Sequence, residues 1–244
     1  MNIPSALALK LKSFTDLSEK ETSAIDALHK RSKKFVAGED MVSQGLCDQS
    51  AYILTSGWAC SYKILEDGQR QIVDFQIPGD FLGLRSILLN VSDHSIEPVT
   101  DIEAVKITSN DIVETVANTP KLAVAMLWAM SRDEAMVVEH LVGLGRRDAA
   151  QRVAHFLLEL GARLSLVGLA TKNGYFCGLT QYLLADALGL TAVHINRTLR
   201  QLREAGLLTF RDGLVSFDNY QRLASFAQFD PGYMDQKEPF LDQA

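Results

Sequence analysis

The sequence is poor in cysteine, with three residues that stand far apart, Cys47, Cys60 and Cys177. This spacing excludes a disulfide framework and a Cys-x-x-Cys metal clip, and it favours reduced thiols. The chain also lacks any apolar run of 18 or more residues, so it has no transmembrane segment. Residues 1–17 have scattered lysines and no continuous apolar stretch, so no signal peptide is predicted. We therefore expect a cytoplasmic protein without membrane association.

Basic residues are also few, with 24 Lys and Arg against 30 Asp and Glu, for a net charge of −6. This total by itself argues against a nucleic-acid partner, but the distribution of charge matters more. Residues 148–228 have a net charge of +2 and the remainder −8. Arg197, Arg200 and Arg203 fall within seven residues of each other, which indicates a local basic surface in an otherwise acidic chain.

The 244 residues are enough for two domains, and a hydrophobic content of 47% is ordinary for a globular protein. Residues 4–34 suggest a short helical entry. From Phe35 to Thr108, short apolar runs alternate with glycines, which indicates an antiparallel sandwich or roll. The strand-like runs are 51–54, 58–65, 71–77 and 104–107, and the segment 66–69 predicts a hairpin turn. Residues 1–118 are therefore predicted to form one β-rich domain.

A long helix is predicted over residues 119–144, with Thr119 as its N-cap and Pro120 at its first position. An apolar stripe at coiled-coil-like spacing follows the helix. Its members are Leu127, Met130, Val137, Leu141 and Leu144. The stripe suits either a dimer seam or ordinary packing on the helix's own domain, and the length of the helix favours the dimer. Asp148 and Gln151 form a capping-box pattern, so residues 119–147 are interpreted as a dimerisation helix and hinge.

Residues 148–228 contain a helix-turn-helix pattern. Thr180 is a suitable N-cap for a helix that ends at Gly189, and Thr191 for a second helix that runs to Ala205. Two helices joined by a short turn around a glycine are typical of this motif. Apolar runs on both sides of Asp212-Gly213 predict a hairpin, or wing. Residues 229–244 contain proline, glycine and acidic residues, and from Pro231 onward a loose C-terminal tail is expected.

The second helix of the motif has the residue types that read DNA. In a helix-turn-helix, the N-terminal part of the recognition helix contacts base edges. Arg197 suits guanine, Asn196 suits adenine, and Ala192 or Val193 suits a thymine methyl group, whereas Arg200, Arg203 and Arg211 suit phosphates. The predicted DNA-binding residues are Thr180, Gln181, Thr191, Ala192, Val193, His194, Asn196, Arg197, Arg200 and Arg211.

Taken in order, these features resemble the cyclic-AMP receptor protein / fumarate-nitrate reduction (Crp/Fnr) superfamily over residues 20–228. The resemblance rests on the long helix, the Asp148 hinge, the segment Ile77-Pro78-Gly79-Asp80-Phe81-Leu82-Gly83, and Leu179-Thr180, Gly189-Leu190-Thr191 and Asn196-Arg197. It implies an α+β fold with a cyclic-nucleotide-binding-type β-roll, a dimerisation helix and a winged helix-turn-helix. It also implies a homodimer that reads a palindromic promoter site, with RNA polymerase as a further partner.

The effector pocket that the resemblance implies departs from the nucleotide-binding pattern. Leu84 follows Gly83 where a cyclic-AMP binder has a glutamate, and His94-Ser95 aligns with the phosphate-binding Arg-Ser or Arg-Thr pair of the family. Val137-Val138 aligns with the Thr-Ser pair of the long helix that contacts the adenine in the family. Arg85 lies close to the pocket motif but is a poor replacement for the missing phosphate-binding guanidinium. We therefore predict that the pocket does not bind cyclic AMP in the familiar way. Its tentative residues are Gly83, Leu84, Arg85, His94, Ser95, Val137 and Val138.

Two other departures bear on cofactor and DNA site. No cysteine precedes Cys47, so the N-terminal iron–sulfur sensor of the fumarate-nitrate branch is not expected. The histidines are scattered, each is better explained as a surface or core residue than as a haem ligand, and no cofactor is predicted. Val193 stands where the archetypes have a base-reading glutamate, which predicts a DNA site that differs from both archetypal sequences.

Two alternatives to a DNA-binding regulator are kept open. An enzyme built on a cupin-like roll would need clustered metal ligands, and the strands supply only His94. A winged-helix module that binds protein without sequence-specific DNA readout would show weak DNA binding with little salt dependence. The arginine-rich recognition helix argues against the second alternative, and the chain is predicted not to be an enzyme.

Overall fold

The computed structural model describes residues 4–47, 50–89 and 91–234, which divide into two compact units. In the described residues, the first unit comprises the chain through Lys63 together with Val73–Asp133, and the second comprises Ile64–Ile72 and Glu134–Met234.

The elements before the long helix are, in chain order, α1 (Ala6–Lys12), α2 (Glu19–His29), β1 (Ser32–Phe35), β2 (Ala51–Ser56), β3 (Ala59–Ile64), β4 (Arg70–Gln76), β5 (Phe81–Leu82), α3 (Leu84–Leu89), β6 (Ser95–Pro98), β7 (Ile102–Ile107) and α4 (Ser109–Asn118). The strands form two sheets, in the orders β1-β7-β2-β5 and β4-β3-β6. The four strand-like runs of the sequence correspond to β2, β3, β4 and β7, and the predicted turn at 66–69 is present between β3 and β4.

A roll results because the two sheets share an apolar interior. Leu54 and Ala104 from one sheet pack with Ala59 and Ile96 from the other, all of them buried. Since side chains alternate across a strand, the next residues, Ile53 and Val105, face the opposite side of the first sheet. There they pack with α1, α2 and the N-terminal half of the long helix. Helix α1 is further fixed by a buried ion pair of 2.7 Å between Lys10 and Asp80.

The long helix α5 (Pro120–Arg146) begins at Pro120 as predicted, but Thr119 does not cap it through its side chain. The Thr119 hydroxyl donates to the carbonyl oxygen of Thr115 at 3.0 Å and so closes α4. Helix α4 was missed in the sequence, and its presence gives Thr119 a different partner. Gly143 and Gly145 do not end α5, which continues through both to Arg146.

The rest of the chain forms α6 (Ala149–Leu166), β8 (Ala170–Thr171), β9 (Gly174–Phe176), α7 (Gln181–Leu188), α8 (Ala192–Glu204), β10 (Leu208–Arg211), β11 (Leu214–Phe217), α9 (Tyr220–Ala227) and a 3-10 turn at Pro231–Tyr233. Asp148 and Gln151 form the predicted capping box at the start of α6. The strands form a small sheet in the order β10-β11-β9-β8, in which β8 and β9 form a short hairpin around Lys172.

The expectation of a loose tail from Pro231 onward is wrong for residues 231–234. Phe229 and Met234 are buried, and the 3-10 turn between them places Tyr233 against α6. The apolar anchors at both ends of the turn outweigh the polar composition around them, because burying each one stabilises the packed segment by about 2 kcal/mol. Residues 235–244 of the predicted tail lie outside the described residues.

Candidate nucleic-acid interface

The helix-turn-helix is α7 and α8, and its turn is set by capping. The Thr180 hydroxyl accepts from the backbone N–H of Leu183 at 3.3 Å, and the Thr191 hydroxyl accepts from that of His194 at 3.2 Å. Gly189 ends α7 with φ of 62°, a left-handed conformation that glycine adopts without steric cost. The predicted caps and the glycine turn are therefore confirmed.

Helix α8 has one buried face and one exposed face. Ile195, Thr198, Leu199 and Leu202 are buried, at the spacing expected for a helix packed on a core. A second stripe at the same spacing is exposed. It consists of Val193, Asn196, Arg197 and Arg200. Val193 is 81% exposed, so an apolar side chain is open to solvent in a stripe whose other members are polar or basic.

Two side-chain contacts organise the exposed stripe. The Asn196 carboxamide donates from Nδ2 to Oε1 of Gln181 at 3.2 Å, which joins α8 to the first residue of α7. The Arg200 guanidinium donates from Nε to the Glu204 carboxylate at 2.7 Å. This hydrogen bond raises the pKa of Arg200 and lowers that of Glu204. Both partners are exposed, so a stronger anion such as a phosphate can displace Glu204 at little cost.

The wing is the hairpin of β10 and β11, as predicted. Asp212 and Gly213 both have positive φ, of 51° and 75°, the backbone that a two-residue hairpin turn requires. Arg211 lies at the end of β10 with its side chain 76% exposed. A recess of about 580 Å³ runs between the wing and the start of α7. It is lined in part by Thr180, Gln181, Arg203 and Arg211.

All the predicted DNA-binding residues lie in the second unit. Three of them are half-buried, namely Gln181, Ala192 and His194. The others are Thr180, Thr191, Val193, Asn196, Arg197, Arg200 and Arg211. Sequence reasoning missed one exposed aromatic residue next to this set. Tyr182, the second residue of α7, is 75% exposed. No signal in the sequence distinguishes it from a core aromatic residue, because its neighbours Leu183 and Leu184 are apolar too.

In the first unit, two residues of the tentative effector pocket, Arg85 and His94, contact a carboxylate of the chain itself. The Asp93 carboxylate lies 3.0 Å from the Arg85 guanidinium and 2.7 Å from Nδ1 of His94. Lys63 lies 3.8 Å from the same carboxylate. Partial burial opposes ionisation of Asp93, but the His94 hydrogen bond and the neighbouring positive charges outweigh it and lower its pKa.

The residues of the tentative effector pocket are divided between the two units. Leu84 and Ser95 are buried, and the Ser95 hydroxyl accepts from the backbone N–H of Gln44 at 3.1 Å. Gly83, Leu84, Arg85, His94 and Ser95 all belong to the first unit. Val137 and Val138 belong to the second, where they are 43% and 53% exposed on α5.

The predicted dimer stripe is mostly exposed along α5. Leu127 is 62% exposed, Leu141 is 69% and Leu144 is 40%, whereas Met130 is partly covered by the core of the first unit. Val124 and Val138 are exposed as well. Positions 124, 127, 138 and 141 share one face of the helix, and this face overlaps the predicted stripe at Leu127 and Leu141.

Three findings concern possible metal sites, thiols and membrane-spanning helices in the described ranges 4–47, 50–89 and 91–234. There, no group of three or more His, Cys, Asp or Glu side chains is arranged to hold a metal ion. Cys60 and Cys177 are buried, and burial raises the pKa of the Cys177 thiol to about 12. Within the same ranges, no helix combines the length and the apolarity that crossing a membrane requires.

Comparisons with known proteins agree with this geometry. Residues 151–226 match the Crp-like helix-turn-helix domain family, and residues 32–119 match the cyclic nucleotide-binding domain family. The chain is 33% identical over 195 residues to the nitrogen fixation regulation protein FixK of Bradyrhizobium diazoefficiens, covering 79% of this chain and 80% of that protein. It is 25% identical over 211 residues to the fumarate and nitrate reduction regulatory protein of Salmonella typhi, covering 86% of this chain and 84% of that protein.

Among solved structures, FixK2 from Bradyrhizobium japonicum superimposes with a TM-score of 0.69 at 29% identity. The match covers 80% of this chain and 96% of that one. Its fold agrees with the β-roll, long helix and winged helix-turn-helix described above. Together with the capped helix pair and its exposed basic stripe, these similarities show that the chain belongs to the Crp/Fnr family of DNA-binding transcription regulators.

Proposed function

We propose that the protein acts as a cytoplasmic homodimer that reads an inverted repeat in promoter DNA and responds to a signal other than cyclic AMP. The exposed stripe of α8 carries the proposal, because it presents Val193, Asn196, Arg197 and Arg200 on one face. This is the set of side chains that a recognition helix places in the major groove.

The roles within the stripe follow from chemistry. The Arg197 guanidinium suits guanine O6 and N7, the Asn196 carboxamide suits adenine, and Val193 or Ala192 offers an apolar contact to a thymine methyl group. Arg200, Arg203 and Arg211, with Thr180 and Thr191 at the helix starts, suit phosphates, which position the protein without specifying sequence.

The dimer is supported by the apolar face of α5. Leu127 and Leu141 are each more than 60% exposed, and exposed leucines at helical spacing over several turns are typical of a helix that pairs with a second copy. Two copies related by a twofold axis would place their recognition helices about 34 Å apart, one turn of DNA. RNA polymerase is a further partner proposed from the family.

A signal other than cyclic AMP is supported by the roll. Leu84 offers no acceptor for a ribose hydroxyl, and the basic side chains of the tentative pocket, Arg85 and His94, already contact Asp93. A cyclic phosphate that contacts these side chains would meet the Asp93 carboxylate, a like charge that raises the free energy of the bound state.

Selection of bound DNA from a random library by the purified protein tests the proposal, with and without cell extract. We expect an inverted repeat with half-sites about one turn apart, different from both archetypal sequences because Val193 replaces their glutamate. Recovery of either archetypal sequence unchanged would contradict the role of Val193. Weak binding without sequence preference or salt dependence would instead favour a winged-helix module that binds protein.

A further inference from the structure

The hydrogen bond between Gln181 and Asn196 joins two elements whose positions are fixed independently. Gln181 is the first residue of α7, directly after the Thr180 cap, and Asn196 lies in the second turn of α8, after the Thr191 cap. The helices share a buried core that includes Leu184 and Ile195. The distance of 3.2 Å between Asn196 Nδ2 and Gln181 Oε1 is therefore a property of the folded motif.

The neighbours of Asn196 on its own helix do not compete for its carboxamide. Val193, three residues before it, has no polar side-chain atom. Arg200, four residues after it, donates to Glu204 at 2.7 Å. In the described residues, Gln181 is thus the side-chain hydrogen-bond partner of Asn196, and it belongs to the other helix.

The carboxamide of Asn196 keeps hydrogen-bonding groups that Gln181 does not use and that can contact DNA. A carboxamide has one acceptor oxygen and two N–H donors. Gln181 takes one N–H of Asn196, which leaves Oδ1 and the second N–H. This acceptor–donor pair complements N6–H and N7 of adenine in the major groove. Without a partner, the terminal torsion of asparagine is broad, so the Gln181 bond restricts the carboxamide before DNA arrives.

We propose that Gln181 is a positioning residue that orients Asn196 to read an adenine in each half-site. The inference rests on the proposed function, in which the stripe of α8 reads base edges, and it assigns Gln181 a role in specificity. A recess of about 100 Å³ beside the pair, lined by Gln181, Asn196 and Arg203 among others, leaves room for the carboxamides to adjust to a base.

Four variants of the full-length protein test the inference. Asn196→Ala removes the proposed reader. Gln181→Met keeps the length of the side chain but removes the acceptor, whereas Gln181→Glu keeps an acceptor oxygen. Gln201→Met is the matched control, since Gln201 is an exposed glutamine in the C-terminal half of α8. Each variant is put through selection from a random library, followed by competition binding with single-base changes in the selected site.

We expect Asn196→Ala to lower the preference for adenine at one position of each half-site by about tenfold, the scale of one bidentate base contact. Gln181→Met should relax the same position by about threefold to tenfold and leave the other positions unchanged. Gln181→Glu should retain the adenine preference while its charge weakens binding to all sequences. Gln201→Met should behave as the wild type.

The outcomes separate this inference from the function on which it rests. If Asn196→Ala relaxes no position, base reading by Asn196 is wrong, and the positioning role of Gln181 is overturned with it. If Asn196→Ala relaxes one position but Gln181→Met does not, only the inference about Gln181 is overturned. A uniform loss of affinity for Gln181→Met, with unchanged preferences, would assign Gln181 to a phosphate and also overturn it.

Discussion

The Tyr233 hydroxyl donates to the Glu159 carboxylate at 2.8 Å, and this bond ties the C-terminal turn to a fully buried acid on α6. The other oxygen of Glu159 lies 2.8 Å from Nε2 of His140. Burial opposes ionisation of Glu159, but His140, Arg163 and the Tyr233 hydroxyl outweigh it and lower its pKa. Tyr233 thus supplies part of the compensation that a buried carboxylate requires.

Replacing Tyr233 by phenylalanine should destabilise the protein by about 1–3 kcal/mol, because the buried carboxylate loses a donor and keeps its desolvation cost. Urea unfolding at a fixed protein concentration measures the change. Tyr182→Phe is the control, since that side chain is 75% exposed, and it should have no measurable effect. Equal stability of Tyr233→Phe and wild type would mean that the tail contact contributes nothing to the fold.

His155 predicts how stability changes with pH. Its ring stacks against Tyr233, with 6.3 Å between ring centroids, and packs edge-on against Phe229. Burial, reinforced by the charge of Arg147, lowers the pKa of His155 from 6.5 to about 4, although Glu159 and Glu139 act in the opposite direction. Between these pH values the unfolded chain binds a proton that the native chain does not, so stability falls as the pH falls.

We expect this histidine to remove at most about 3 kcal/mol between pH 6.5 and pH 4. His155→Phe keeps the ring contacts without a titrating group, so its unfolding free energy should depend less on pH over this range. The lowered pKa of Glu159 also makes the protein less stable as the pH falls. This contribution remains in the variant, so its unfolding free energy still depends on pH to some extent. A variant whose stability falls as steeply as the wild type would show that His155 does not carry the effect.

The parts of the fold that were predictable from sequence are those with local chemical signals. Thr180, Gly189 and Thr191 mark the bounds of α7 and α8 because their side chains or backbones satisfy helix ends. Asp212-Gly213 marks the wing because it adopts positive φ. In the same way, Asp148 and Gln151 mark the start of α6. Each of these signals acts within a few residues, so tertiary packing does not override it.

The parts that were missed depend on contacts distant in sequence. Strand β1 has the sequence Ser-Lys-Lys-Phe and is mostly exposed, so it has no apolar alternation and forms only because β7 lies beside it. The turn at Pro231–Tyr233 is ordered by Glu159, 74 residues earlier. The Gln181–Asn196 contact likewise depends on how two helices cross, which no spacing in the sequence specifies.

Replacing Arg197 or Arg211 by alanine should change DNA binding in different ways. Arg197→Ala should abolish preference for the selected site and leave non-specific binding nearly unchanged, because a base contact is lost. Arg211→Ala should weaken binding to all sequences alike and reduce the salt slope by about 1, because a phosphate contact is lost. Fluorescence anisotropy at several salt concentrations measures both. Equal loss of specific and non-specific affinity for Arg197→Ala would contradict its base-reading role.

Cyclic AMP at millimolar concentration should not raise the melting temperature of the wild-type protein. A ligand that binds the native state must stabilise it, so a clear rise would refute the effector proposal. Asp93→Asn removes the internal carboxylate charge and leaves Arg85, His94 and Lys63 without it. If the Asp93 charge is what disfavours an anion here, this variant should gain a measurable stabilisation by inorganic phosphate that the wild type lacks.

The apolar face of α5 predicts the effect of a charge on assembly. Leu141→Lys places an ammonium group at the most exposed leucine of the helix, 69% exposed, so the isolated chain should fold unchanged. Burying that ammonium in a dimer seam without a partner costs several kcal/mol, enough to shift micromolar protein to a monomer in analytical ultracentrifugation.

Leu88→Lys is the matched control for this charge, because Leu88 is a leucine of similar exposure, 60%, on a different helix, α3. It should leave the sedimentation of the protein unchanged. The monomeric Leu141→Lys variant should also lose most of its affinity for the full inverted repeat, since one recognition helix reaches only one half-site. A Leu141→Lys variant that sediments as the wild type and still binds the full repeat would mean that another surface holds the two copies together.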